Sequence, residues 1–119
     1  MTDTITGQCV CGAVCFRAAQ RPDYLNDCNC TLCRRLGALW AYYRLSEVEI
    51  TGKTTGYVRE DLSKPAIAAH HCPKCGTTTH WTPLGDEPDD RMGVNARLFD
   101  ETAMDGVEIK YPDGRSWDG

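Results

Sequence analysis

Hydrophobic and polar positions alternate along much of this chain with the two-residue period of a strand, not the 3.6-residue period of a helix. In residues 13–18, Ala13, Cys15 and Arg17 share one face, while Val14, Phe16 and Ala18 share the other. Residues 38–45 form an aromatic-rich run that reads as a strand buried on much of both faces. Short strands follow at 47–51, 54–58 and 66–71, and another over Thr77–Thr82. Met92, Val94, Ala96 and Leu98 then alternate with Gly93, Asn95, Arg97 and Phe99, and Val107–Tyr111 closes the series. The best helical segment has Thr31 as its N-cap, Leu32 to Leu36 as its body and Gly37 as its C′ residue. A second short turn is expected over residues 100–105, and residues 83–90 form a polar, acidic loop. The expected class is mainly β, with many short strands and one or two helical turns.

Composition narrows the class further. A chain of 119 residues is expected to form one domain spanning 1–119. Its 41% hydrophobic residues, 11 glycines and 6 prolines imply a small, loop-rich core that needs stapling. Mean hydropathy of -0.45 agrees with this. The net charge of -4 opposes a phosphate backbone and weighs against nucleic-acid binding, although Arg34 and Arg35 form a local positive patch. The opening residues carry no basic region followed by an apolar run, and no segment approaches the ~18 apolar residues of a membrane span. A cytoplasmic location is expected, where thiols stay reduced and metal binding or catalysis is favoured over disulfides.

The chemistry lies in the eight cysteines. Cys9 and Cys11 form a C-x-C pair, Cys28, Cys30 and Cys33 a C-x-C-x-x-C triplet, and Cys72 and Cys75 a C-x-x-C pair. Thiols at such spacings converge readily on a tetrahedral metal ion. Gly12 follows the first pair and Gly76 the last, as in zinc knuckles whose next residue needs a positive φ and turns its amides toward the sulfurs. Cys9, Cys11, Cys72 and Cys75 are therefore paired as one closed structural zinc site.

Cys28, Cys30 and Cys33 remain as a separate set, flanked by Arg34 and Arg35 rather than glycine. Three protein ligands with an open fourth position is the pattern of a catalytic zinc, and a helix start with neighbouring arginines favours thiolates. Arg34 and Arg35 are candidates to hold an anionic substrate. A structural or a redox role for the triplet are the competing readings. Cys15, mid-strand, reads as a small buried hydrophobe. His70 and His71 point to opposite faces, so at most one can approach a metal, and His80 reads as a packed sheet residue. Trp40, Tyr42, Tyr43 and Trp81 read as core or pocket wall. There is no G-x-S-x-G, P-loop, G-x-G-x-x-G or H-E-x-x-H.

Gly7-Gln8-Cys9-Val10-Cys11-Gly12 with Val14 and Phe16, Cys28-Asn29-Cys30-Thr31-Leu32-Cys33-Arg34 with Gly37-Ala38, and Cys72-Pro73-Lys74-Cys75-Gly76-Thr77 up to Trp81 resemble the three motifs of a known family. It is the glutathione-dependent formaldehyde-activating (GFA) family, which also takes in centromere protein V-like chains. Ile50-Thr51-Gly52, Gly93 to Leu98 and Tyr111-Pro112-Asp113-Gly114 are similar to it as well. The resemblance implies a β-tent fold, with small antiparallel sheets around a structural zinc held by Cys9, Cys11, Cys72 and Cys75. It also implies that Cys28, Cys30 and Cys33 hold a second, catalytic zinc or meet the thiol substrate. The implied activity is that of a carbon–sulfur lyase, joining glutathione and formaldehyde as S-(hydroxymethyl)glutathione. A non-catalytic protein-binding module on the same fold is the alternative.

Overall fold

The computed structural model describes residues 4–84, 91–100 and 102–114. The fold is mainly β, in two sheets with one α-helix and two 3-10 turns among the described residues. β1 (Ile5–Gln8), β2 (Cys15–Ala18) and β5 (Val48–Thr51) make a three-stranded antiparallel sheet in the order β1-β2-β5. The larger sheet contains β3 (Tyr24–Asn26), β4 (Trp40–Arg44), β6 (Thr55–Val58), β7 (Ile67–His71), β8 (Thr78–Pro83), β9 (Arg91–Asn95) and β10 (Glu108–Lys110). Its order is β10-β3-β4-β9-β8-β7-β6. One pairing departs from the antiparallel expectation: β10 runs parallel to β3, with Lys110 opposite Asn26.

The alternation over 13–18 predicts the packing face. Val14, Phe16 and Ala18 are all buried. From the small sheet, Phe16 meets the large one edge-on at His80, with ring centroids 6.4 Å apart. The same core takes in Leu25, Ala41, Tyr43, Met92 and Val94 from the large sheet. β4 is covered on both faces: Ala41 and Tyr43 pack into this core, while Trp40 and Tyr42 pack on the other side with Cys28, Cys33 and Ala38.

Three expectations are corrected. Alternation over 92–99 stops at Asn95, and residues Ala96–Leu98 form a 3-10 turn. Asn95 causes the turn: its Oδ1 accepts from the Arg97 amide, while its Nδ2 donates to the Thr78 carbonyl at 2.9 Å. Phe99 is thereby buried in place of Leu98. The helix α1 (Thr31–Leu36) is present and ends at Gly37 with φ 69, but its N-cap is Cys30, not Thr31. The Cys30 sulfur accepts the Cys33 amide at 3.3 Å, so one of the N–H groups left free in the helix's first turn is already satisfied. Cys15 is half-buried, not buried, with its thiol donating to the Gly12 carbonyl at 3.4 Å.

β1 and β3 have no signal in the sequence, being short and largely polar. The turn expected over 100–105 is observed at residues 102–106, and most of the acidic loop expected over 83–90 lies outside the described residues. Among the described residues, no helix is long and apolar enough to cross a membrane.

Candidate metal centre and cavity

All eight cysteines are free thiols, and seven of them gather into two groups. Within each group the sulfurs lie within 4.8 Å of one another. One group is Cys9, Cys11, Cys72 and Cys75; the other is Cys28, Cys30 and Cys33.

The four-sulfur group is built from two loops of like design. Cys9 N donates to the Val14 carbonyl and Gly12 N to the Cys9 carbonyl. In the second loop Cys72 N donates to the Thr77 carbonyl and Gly76 N to the Cys72 carbonyl. Both glycines have positive φ, 79 at Gly12 and 78 at Gly76, where a side chain would be strained. Cys9 and Cys11 sulfurs are 3.7 Å apart, and Cys11 and Cys72 sulfurs 3.6 Å. A tetrahedron of metal–sulfur bonds of about 2.3 Å has edges of about 3.8 Å, so the donor set fits one ion. The Thr77 hydroxyl and amide, with the Cys11 amide, hold Cys75 down at about 5, favouring the thiolate a metal needs.

The triplet sits at the join of β3 and α1. Its sulfurs accept a chain of N–H donors: Cys30 N to Cys28 Sγ at 3.4 Å, Cys33 N to Cys30 Sγ at 3.3 Å, and Trp40 Nε1 to Cys33 Sγ at 3.2 Å. Three sulfurs, each accepting an N–H, can hold a metal ion with a fourth position left for another ligand. The expected lowering of these thiols is corrected at two of them. Burial, followed by the neighbouring thiol of Cys30, pushes Cys33 far up, and burial raises Cys28 as well. The amides of a six-residue helix do not offset that desolvation.

A cavity of about 480 Å³ opens onto the triplet. Trp40 and Tyr42 from β4 and Trp81 from β8 form an aromatic wall; Tyr42 and Trp81 meet at 6.1 Å between centroids. Asn26 Nδ2 donates to the Tyr42 hydroxyl at 2.8 Å, and the Arg91 guanidinium lies 4.1 Å from the centre of the Tyr42 ring. Arg59, bound to Asp61, and Lys64 come from the loop between β6 and β7, and Pro112 and Gly114 from beyond β10. None of the four-sulfur group lines this cavity.

Arg34 and Arg35 are exposed on α1 and do not line the cavity; its cations are Arg59, Lys64 and Arg91. Sequence reasoning missed these three because they lie on the β6–β7 loop and at the start of β9, far in the chain from the cysteines they approach. His70 and His80 are stacked in parallel with centroids 4.4 Å apart, held by the hydroxyls of Thr54, Thr82 and Thr79. Neither belongs to a metal group, and burial, then His70, holds His80 neutral with a pKa of about 4.

Residues 4–112 match the family described as glutathione-dependent formaldehyde-activating enzyme. The chain belongs to this GFA family. Among solved structures, a Rhodobacter sphaeroides protein from a structural-genomics programme matches with a TM-score of 0.65 and 25% identity. The match covers 88% of this GFA-family chain and 99% of that one. No curated protein matches the chain.

Proposed function

We propose that this GFA-family chain is an enzyme that joins a small thiol, such as glutathione, to a small aldehyde such as formaldehyde, at Cys28, Cys30 and Cys33. The same site would cleave the adduct in reverse, as a carbon–sulfur lyase. The supporting observation is the contrast between the two sulfur groups. One has four sulfurs and is closed by its own loops; the other has three and opens on a cavity carrying cations.

Zinc fits both donor sets, the first as a structural ion and the second as a catalytic one. Bound at the triplet, it would supply positive charge that stabilises an incoming thiolate near neutral pH. The chain's own residues do the rest. The amides of Cys30 and Cys33 and the Trp40 indole hold the three sulfurs in place and share their negative charge. Trp40, Tyr42 and Trp81 exclude water from one side of the reacting atoms. Lys64 and Arg91, which line the cavity, are the cations that would meet the carboxylates of an anionic thiol, in place of Arg34 and Arg35. The addition needs two small reactants held together, so orientation accounts for much of the gain.

The test follows adduct formation from formaldehyde and glutathione by NMR, against the spontaneous rate. Wild-type protein should accelerate it, and Cys30→Ser, still folded, should not. Wild-type protein that holds two zinc ions yet leaves the rate unchanged would overturn the enzymatic reading and favour a binding module.

A further inference from the structure

The segment after β10 closes one side of the triplet with bare backbone. Parallel pairing sets Lys110 opposite Asn26, and Asp27 N donates to the Lys110 carbonyl at 2.8 Å. The chain is thus carried along residues 27–30. Asn29 Nδ2 then donates to Asp113 Oδ1 at 3.1 Å. The next residue, Gly114, is buried against the cysteines. A β-carbon there would stand 2.5 Å from Cys28 Sγ, 2.9 Å from Cys30 Cβ and 3.3 Å from Cys30 N.

Gly114 is not among the positive-φ glycines, so its backbone conformation does not call for glycine. Space does. Non-bonded heavy atoms sit at about 3.5–4.0 Å at their optimum, so any side chain at 114 must move either the Cys28 sulfur or the strap. Cys28 Sγ in turn belongs to the set whose three sulfurs converge. We propose that Gly114 is a positioning residue: its missing side chain lets the C-terminal strap back Cys28 and Cys30 closely, and this fixes the triplet in its metal-holding arrangement. The proposal rests on the reading that the triplet binds a metal. It is a contact between residues 86 positions apart in the chain, brought about by the parallel return of β10.

The test measures metal binding, not turnover. Wild type and Gly114→Ala are loaded with zinc or cobalt, ions are counted by native mass spectrometry, and the weaker ion is titrated with a chelator. Wild type should hold two ions. Gly114→Ala should keep the tight one and bind the second roughly 10–100-fold more weakly, the usual loss when support around a ligand is removed. Two ions at wild-type affinities in Gly114→Ala overturn the positioning role and leave the proposed metal site standing. A single ion in wild type overturns the triplet as a metal site, and the positioning role falls with it. If Gly114→Ala does not fold, the Cys28→Ala/Gly114→Ala protein decides. Recovery of the fold once Sγ is gone supports the contact, and failure to recover overturns it.

Discussion

The indole Nε1 of Trp40 donates a hydrogen bond to Cys33 Sγ at 3.2 Å, in a contact buried from solvent. An interior strand of the large sheet therefore holds a sulfur of α1, and the triplet is anchored to a buried side chain of the core. Trp40→Phe keeps the ring and removes the donor. It should weaken metal binding at the triplet by roughly tenfold and leave the four-sulfur ion in place, as chelator competition would show. Equal affinity in the two proteins would mean that the indole serves packing alone.

The four-sulfur group ties Cys11 to Cys72 across 61 positions. Closing a loop of that length removes on the order of 4 kcal/mol of unfolded-chain entropy, and a structural zinc contributes roughly 10 kcal/mol or more of apparent binding free energy. Cys72→Ser, or strong chelation, should therefore unfold the chain, seen as loss of the β circular-dichroism signal and of near-ultraviolet structure. A stable Cys72→Ser fold would show that this site is not the staple.

His80 is 5% exposed and its pKa is lowered from 6.5 to about 4 by burial and then by His70. The unfolded chain takes up a proton near pH 6.5 that the folded chain refuses until about pH 4. Stability from the neutral ring is thus fully present above pH 6.5 and is lost as pH falls toward 4, by on the order of 3 kcal/mol. His80→Phe keeps a ring for the His70 stack and cannot titrate, so its stability should fall less steeply over that window in urea unfolding. Thiol protonation affects both proteins alike, and parallel curves would remove His80 as a cause.

A β-carbon on Gly93 would stand 2.0 Å from Trp81 Nε1, so the bare backbone of β9 is what seats this wall of the cavity. Gly93→Ala should cost about 1–3 kcal/mol by overpacking and displace the indole. Thermal unfolding should show the loss in wild type and a much smaller one in a Trp81→Ala background. The same loss in both would place the strain elsewhere.

Arg34 and Arg35 are exposed outside the cavity, whereas Lys64 lines it. With an anionic thiol, Lys64→Ala should raise KM about two- to fivefold, the scale of a solvent-exposed ion pair, and Arg34→Ala/Arg35→Ala should leave KM unchanged. The reverse pattern would return the substrate contact to α1.

The pairing of Cys9 and Cys11 with Cys72 and Cys75 was legible because Gly12 and Gly76 mark it locally, each at a turn that needs positive φ. The inward face of β2 was legible because alternation is a property of consecutive residues. The Asn95 turn was not, since it depends on Thr78 and Leu39, which the sheet brings alongside. Cys30 as a helix cap was hidden by the stronger capping habit of Thr31, which ignores a sulfur already aimed at the Cys33 amide.

The mainly β class, the family and the two kinds of cysteine group can be read along the chain. These rest on short-range spacing and on the local conformations that particular residues allow. The surroundings of the triplet come from long-range folding. Asn26, Tyr42, Lys64, Trp81, Arg91 and Gly114 become neighbours through the order of strands in one sheet and the parallel return of β10. Such convergence is set by long-range pairing and by the space each side chain leaves to others, and no window of consecutive residues contains it.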